Sequence, residues 1–330
     1  MKLYPWLIKP YNNIIQQYQK NKAHHAILIK TQRGIGASLL IWFISRWILC
    51  LKPIGKNFCN QCSGCKLMSI KSHPDWHVLK SEKNNFFNIE DIRKINEKIF
   101  TCSRQGESKV IVLPDTEQLT ESAVNAFLKT LEEPPKKTWF FLINYNNFNL
   151  YSTLNSRCLI YPLFAPNEKD SINWLQKDTK KKSKSYLTAL RINQGSPISA
   201  KKFINGIIWI ERINFYKYLF NAFQNKNLLK ILPEFNKKNN IVQINWICFL
   251  LLDAIKFNFN QKQYLINFDQ ITLIEFLSHN YTNFVLDMSI RTWMQCQYKL
   301  LNISGVNQQL LLLEQLLKWE EIFNIEFKNE

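Results

Sequence analysis

The sequence predicts an α/β domain with a mostly parallel sheet, followed by a small helical domain and a larger all-helical domain. Up to about residue 165, buried-type apolar runs alternate with helical patterns. Beyond Pro166 the strand-type runs fade, and helical spacing of apolar residues dominates. The 330 residues also suit two or three domains, at roughly 100–200 residues each. We place the domains at 1–165, 166–206 and 207–330.

Three runs of the first domain are predicted as buried strands because Val, Ile, Leu and Phe dominate them: 25–30, 109–114 and 138–143. The strongest helix is predicted from Thr120 to Glu133. Thr120 is suited to cap it, and apolar residues then recur at helical spacing. Pro134 and Pro135 end the helix because proline cannot continue it.

The remaining chain is predicted to be helical. In the small domain we expect helices near 170–175 and 186–192, a lysine-rich break at 180–184, and a third helix that begins at Pro197. In the last domain, apolar spacing predicts helices over 246–257, 284–301 and 310–323.

Composition excludes several protein classes. With 46% hydrophobic residues, eight Gly and eleven Pro, the chain is neither disordered nor collagen-like. The 43 Lys and Arg against 25 Asp and Glu give a formal charge of +18. Such a charge suits a nucleic-acid partner, because clustered cations release counterions from phosphates. Since Asn, Ile and Lys are abundant throughout, the charge also fits compositional drift, and both explanations stay open.

We expect a cytoplasmic protein with no membrane segment. The most apolar stretches, 38–51 and 246–255, are shorter than the ~18–20 uncharged residues that span a bilayer. The first residues lack the apolar core and small-residue cleavage site of a secretory signal.

Four of the eight cysteines fall within sixteen residues: Cys50, Cys59, Cys62 and Cys65. Four thiolates can close a tetrahedral Zn²⁺ site, and the two-residue spacings let neighbouring sulfurs turn towards one ion. Such a site is structural because no coordination position is left open for substrate. Ordinary thiols or a redox role are the alternatives. Other candidates are expected to be ordinary residues (His73, His77) or packed core thiols (Cys102, Cys248, Cys296).

A phosphate-binding loop without its key residue follows the first strand. Residues 31–38 lie between a strand and an apolar helix, the placement of a loop that reads G-x-x-x-x-G-K-[ST]. Thr31 replaces the first glycine and Ala37 replaces the lysine, while Gly34, Gly36 and Ser38 are present. Because the lysine contacts the β- and γ-phosphates, we expect no ATP in this site. A plain strand–turn–helix connection is the alternative.

The second half of a nucleotide site is also degenerate. An apolar strand should end in Asp-Glu, with the Asp near Mg²⁺ and the Glu orienting the attacking water. Here residues 110–113 lead into Pro114 and Asp115. Proline offers no oxygen to the metal, and Asp115 is one methylene shorter than the expected Glu.

Longer motifs carry a family resemblance. The segment 125–135 (NAFLKTLEEPP), followed by Ser156, Arg157 and Cys158, resembles the clamp-loader branch of the AAA+ proteins, as found in bacterial DNA polymerase III. The cysteine quartet and residues 4–7, 24–26, 73–75 and 138–142 also resemble that family. The likeness is dense over 1–165 and then thinner but collinear.

The resemblance implies a function for each part. The domains would be an AAA+ domain, a helical lid and a collar that forms the oligomer. The partners would be delta and gamma/tau subunits in a ring that loads the beta sliding clamp onto primer-template DNA. A member without the loop lysine would not hydrolyse ATP and would serve as a stator.

By the same resemblance, Arg157 would be a catalytic arginine finger that reaches the ATP site of the neighbouring gamma/tau subunit. Ser156 and Cys158 would hold this turn at the interface. Lys129, Glu132 and Glu133 are expected to serve folding or contact between subunits rather than chemistry.

Two other functions compete with this interpretation. An active AAA+ ATPase of the gamma/tau kind should carry Lys at position 37, where this chain has Ala37. A zinc-containing DNA-binding protein should bind DNA on its own, with steep salt dependence. No nucleophile, acid and base of a hydrolytic triad stand out in the sequence.

Overall fold

The predicted strands are present in the structure, a computed structural model that describes residues 2–79, 86–145, 152–177, 183–235, 239–303, 305 and 307–326. The chain divides into two units, Met1–Pro166 and Asn167–Glu330. The strands found in the described residues, all in the first unit, are β1 (Ala26–Thr31), β2 (Trp76–Val78), β3 (Lys109–Leu113), β4 (Thr138–Asn144) and β5 (Leu159–Leu163).

One parallel sheet holds all five strands in the order β2-β3-β4-β1-β5. Thr31 at the end of β1 pairs with Leu163 at the end of β5, and Leu113 of β3 pairs with Leu142 of β4. The carboxyl ends of these strands therefore share one edge of the sheet, and the amino ends share the other.

Both faces of the sheet are covered, which explains why the strands read as continuous apolar runs. On one face Ile27, Ile29, Val112 and Phe141 lie in a core with the first two helices. On the other, alternate residues such as Leu28 pack in a second core with the fourth and fifth helices. The period-two alternation of side chains in a strand produces this division.

The helices of the first unit are α1 (Ile8–Gln19), α2 (Ala37–Ile48), α3 (Ser63–Ser69), α4 (Ile89–Phe100), α5 (Glu121–Glu132) and α6 (Ser152–Asn155). The helix predicted from Thr120 is confirmed as α5. Thr120 Oγ1 accepts a hydrogen bond from Ala123 N at 3.3 Å, which satisfies one of the free N–H groups at the start of the helix.

The second unit is helical, as predicted. Its helices are α7 (Glu168–Gln176), α8 (Ser183–Ile192), α9 (Pro197–Asn205), α10 (Ile207–Gln224), α11 (Asn240–Asn258), α12 (Ile271–Asn280), α13 (Asn283–Asn302) and α14 (Gln308–Glu326). Trp246, Trp293 and Trp319 are fully buried in its larger core, which α10 to α14 share. Each predicted helix of this region falls on one of these elements.

One helix, α11, is long and apolar enough to cross a bilayer by length and composition. Half of its most apolar window is buried inside the helical unit, and it packs against α12 and α13. Its Asp253 is fully buried and accepts hydrogen bonds from Ile266 N and Asn267 N, at 2.9 and 2.7 Å. These contacts are those of a core helix in a helical bundle.

Two expectations need correction. Most of the predicted lysine-rich break at 180–184 lies outside the described residues, but Ser183 and Lys184 form the exposed first turn of α8, where polar side chains are compatible with a helix. Cys102 is exposed, not packed in a core, because it lies just beyond the end of α4.

Candidate functional site

The four clustered cysteines come together in space. Their Sγ atoms all lie within 4.8 Å of one another. The separations are 3.5 Å for Cys50 and Cys59, 4.0 Å for Cys50 and Cys62, and 3.9 Å for Cys59 and Cys65. A tetrahedral ion with metal–sulfur bonds of about 2.3 Å needs sulfur–sulfur edges of about 3.8 Å. The four sulfurs therefore fit one tetrahedral metal ion.

Backbone N–H groups support negative charge on these sulfurs. Cys50, Cys59 and Cys62 Sγ accept hydrogen bonds from the N–H groups of Cys59, Cys62 and Cys65, at 3.3, 3.4 and 3.3 Å. Hydrogen bonds from the backbone N–H groups of Cys62 and Gln61 lower the pKa of the Cys59 thiol to about 6. Burial instead raises the pKa of the Cys50 and Cys65 thiols. Because a metal ion binds thiolates, the tetrahedral fit of the four sulfurs and these N–H donors, rather than the pKa values, favour a metal ion over four ordinary thiols.

Gly64 lies in this cluster because no side chain fits there. A Cβ at Gly64 would come within 2.4 Å of the carbonyl oxygen of Leu49. The start of α3 therefore packs directly against the backbone just before Cys50. Gly55, by contrast, is required by its left-handed conformation, with φ of 56°.

The loop between β1 and α2, which we call the phosphate loop after its sequence pattern, contains two glycines in the left-handed region. Gly34 and Gly36 have φ of 86° and 104°, which glycine adopts without strain. Helix α2 begins at Ala37, which is 2% exposed, and Ser38 next to it is exposed. Ala37 therefore offers only a buried methyl group at the start of this helix.

Three contacts fasten this loop to its surroundings. Thr31 Oγ1 donates to Leu163 O at 2.8 Å, across the β1–β5 pair. Trp6 Nε1 donates to Ile35 O at 2.8 Å. At the centre of the loop, Arg33 forms the third contact, with a carboxylate.

Arg33 pairs with Asp115, the second residue after β3. Its Nη2 lies 2.7 Å from Asp115 Oδ2, and its guanidinium lies 4.5 Å from the centre of the Tyr145 ring. Asp115 Oδ1 accepts a hydrogen bond from Glu117 N at 3.1 Å, and its side chain is only 6% exposed. An arginine of the chain itself therefore neutralises the carboxylate that follows β3, and Pro114 before it has no side-chain oxygen.

Arg157 lies in the turn between α6 and β5. Its Nε donates to Glu132 Oε1 at 2.6 Å, and its Nη2 donates to the same oxygen. Its Nη1 lies 3.1 Å from both Thr153 O and Ser156 Oγ. The side chain is 31% exposed and that of Glu132 is 48% exposed, so this ion pair lies at the surface.

The neighbours of Arg157 hold the turn in different ways. Ser156 Oγ donates to Thr153 O at 3.0 Å. Cys158 is buried against the core on one face of the sheet, and burial raises the pKa of its thiol to about 12. It is therefore a neutral packing group.

Arg157 and the phosphate loop lie at opposite edges of the sheet. The loop follows the carboxyl end of β1, whereas Arg157 precedes the amino end of β5, where Leu159 pairs with Ile27. At about 3.3 Å per residue, the length of such a strand separates them by roughly 15–20 Å. Arg157 therefore cannot act in the loop of its own chain.

Two of these residues were not predicted as site residues. Arg33 falls inside the loop motif, where a cation could have been recognised as a replacement for the missing lysine. Its partner Asp115 lies far away in sequence, so only the sheet order brings the two together. Glu132 was assigned to folding or contacts between subunits, and no local pattern links it to Arg157.

Comparison with known proteins decides the family. The chain is 69% identical over 324 residues to the DNA polymerase III subunit delta prime of Buchnera aphidicola subsp. Acyrthosiphon pisum, covering 98% of this chain and 99% of that protein. The chain belongs to the delta prime family of DNA polymerase III subunits. The delta prime subunit of Escherichia coli K12 is 33% identical, with 97% of this chain and 96% of that protein covered.

Three family descriptions match successive parts of this delta prime family member. "DNA polymerase III, delta subunit" matches residues 8–167, and its C-terminal counterpart matches 208–321. "DNA polymerase III subunit delta', AAA+ ATPase lid domain" matches 166–204. A DNA polymerase III subunit gamma, from another Buchnera aphidicola, is 28% identical over 51% of this chain and 46% of its own length. The predicted clamp-loader identity and fold class are confirmed.

Proposed function

We propose that this clamp-loader subunit is the ATPase-silent stator of the DNA polymerase III clamp loader, and that Arg157 acts in trans at the ATP site of a neighbouring gamma/tau subunit. The chain itself has no enzymatic activity in this proposal. Within a ring with delta and gamma/tau, it takes part in loading the beta sliding clamp onto primed DNA in the cytoplasm.

The observation that carries this proposal is the separation of the two sites on the sheet. The phosphate loop lies at the carboxyl edge, where Arg33 pairs with Asp115, and Arg157 lies at the amino edge. An arginine at the amino edge can contribute to ATP hydrolysis only at a site formed with another subunit.

Chemical arguments support the silent loop. Ala37 offers no cation to the phosphates, and Asp115 is already engaged by Arg33 and Glu117 N. Mg²⁺ would have to compete with Arg33 for the buried carboxylate of Asp115.

The finger role rests on the chemistry of the guanidinium group. Arginine is permanently charged and planar, and it can contact two phosphate oxygens at once. An arginine supplied in trans can raise phosphoryl-transfer rates by about 10³–10⁵. Arg157 is partly exposed on a short turn, which a neighbouring subunit can approach.

Zinc and the domain division complete the proposal. We assign Zn²⁺ to Cys50, Cys59, Cys62 and Cys65, where it would hold the segment between α2 and α3 without taking part in the chemistry. We assign 1–165 to the AAA+ domain, 166–206 to the lid and 207–330 to the collar.

The proposed lack of ATP binding and hydrolysis is tested with the purified chain. Equilibrium binding of Mg²⁺–ATP should show no saturable site up to millimolar nucleotide, whereas a cognate gamma/tau subunit in the same assay binds it. Saturable binding followed by cleavage would contradict the proposal.

The proposed action of Arg157 at the neighbouring ATP site is tested in the reconstituted clamp loader. Arg157→Ala should lower DNA-stimulated ATP turnover at the adjoining site by about 10³-fold while the assembly still forms. Unchanged turnover in an assembled loader with Arg157→Ala would contradict the finger role.

A further inference from the structure

The guanidinium group of Arg157 is engaged within the chain at each of its three nitrogens. Its Nε and Nη2 both donate to Glu132 Oε1, and its Nη1 donates to Thr153 O and Ser156 Oγ. Each of its three nitrogens therefore has an acceptor on the same chain.

This engagement conflicts with the contact that a finger must make. Bidentate recognition of a phosphate uses two N–H groups on neighbouring nitrogens of the guanidinium. Side-on recognition uses the N–H groups of Nε and Nη2, and both of these nitrogens donate to Glu132. A phosphate can thus bind this side of the guanidinium bidentately only if Arg157 loosens its contact with Glu132.

Glu132 can be displaced because the pair is exposed. Its side chain is 48% exposed at the end of α5, and that of Arg157 is 31% exposed. Exposed ion pairs of this kind change equilibria by up to about five-fold, because water competes with the partners. A nucleotide triphosphate carries more negative charge than one carboxylate and presents several acceptor oxygens.

We propose that Glu132 is a latch that holds Arg157 in the free subunit, and that the terminal phosphate of the neighbour's nucleoside triphosphate displaces it. This proposal rests on the proposed finger role of Arg157. It identifies Glu132 as a residue that weakens nucleotide-dependent association. A nucleoside diphosphate lacks the terminal phosphate, so the latch stays closed.

The test uses Glu132→Gln, which keeps the length of the side chain and removes its charge. The matched control is Glu107→Gln, because Glu107 also forms an exposed ion pair in the same unit, with Lys137. Association of each full-length chain with a gamma/tau–delta assembly is titrated in Mg²⁺–ATP and in Mg²⁺–ADP.

With ATP, Glu132→Gln should tighten association by about 2–5-fold, and with ADP it should change nothing. Glu107→Gln should match the wild-type chain in both nucleotides. In an Arg157→Ala background, Glu132→Gln should have no further effect, because the group that it releases is gone.

The outcomes distinguish an error in the proposal for Glu132 from an error in the proposed finger role of Arg157. If Arg157→Ala lowers ATP turnover but Glu132→Gln has no effect, weakens association, or tightens it equally with ATP and ADP, the latch is wrong and the finger stands. If Arg157→Ala leaves turnover unchanged in the assembled loader, the finger is wrong and the latch falls with it.

Discussion

Two arginines of the first unit each pair with a carboxylate, but the two pairs differ in burial. The partner of Arg33 is Asp115, whose side chain is 6% exposed at the carboxyl edge of the sheet. The partner of Arg157 is Glu132, which is 48% exposed and lies on the α5 side of its turn.

The difference in burial separates a permanent pair from an exchangeable one. Arg33 itself is 65% exposed, but the carboxylate of Asp115 is buried, and leaving it short of donors costs about 1–3 kcal/mol. Breaking an exposed pair costs about 0–1 kcal/mol because water replaces the partner. We therefore expect Arg33 to stay in the phosphate loop and Arg157 to be available to another subunit.

The largest effect on the stability of the chain is expected at the cysteine cluster, outside both ion pairs. Cys62→Ser should abolish binding of one zinc per chain and lower Tm by roughly 4–8 °C, because the segment between α2 and α3 loses a cross-link. Metal analysis and thermal unfolding of the full chain measure both quantities.

Cys102→Ser is the matched control, since Cys102 is exposed and outside the cluster. It should keep the metal and the wild-type Tm. If purified wild-type chain carries no zinc, or if Cys62→Ser retains it, the assignment of the cluster is wrong.

The next largest effect on stability is expected from removing the two carboxylates, Asp115 and Glu132, one at a time. Asp115→Ala should lower the free energy of unfolding by about 1–3 kcal/mol, because Glu117 N and Arg33 lose a buried acceptor. Glu132→Ala should lower it by no more than about 1 kcal/mol. Urea unfolding of the full chain measures both, and equal losses would remove the distinction between the two pairs.

The smallest effect is expected on ATP binding, when a lysine is introduced at position 37. Ala37→Lys should not create measurable ATP binding, because Arg33 still occupies the carboxylate after β3 and Thr31 still replaces a glycine. Equilibrium binding to the purified variant tests this. Micromolar binding would mean that the lysine alone separates this chain from an ATP-binding relative.

Local sequence signals predicted much of the fold. The apolar runs that became β1, β3 and β4 are continuous because the sheet is covered on both faces, and Thr120 caps α5 as its side chain suggests. Strands β2 and β5 were not predicted. Strand β2 has three residues, and β5 contains Pro162 and exposed positions, so neither has a strong apolar pattern.

The candidate sites divide in the same way. The cysteine cluster is local, so its spacing predicted that the sulfurs would meet. The pairs of Arg33 with Asp115 and of Arg157 with Glu132 join residues 82 and 25 positions apart. They depend on strand order and on where α5 ends, which side-chain patterns along the chain do not specify.

The most direct measurement applies the same substitution to both arginines. DNA-stimulated ATP turnover is compared in loaders reconstituted with Arg33→Lys or with Arg157→Lys, since lysine keeps the charge but not the planar fork. We expect wild-type turnover for Arg33→Lys and a large loss at the adjoining site for Arg157→Lys. Full turnover with Arg157→Lys, or a comparable loss with Arg33→Lys, would contradict it.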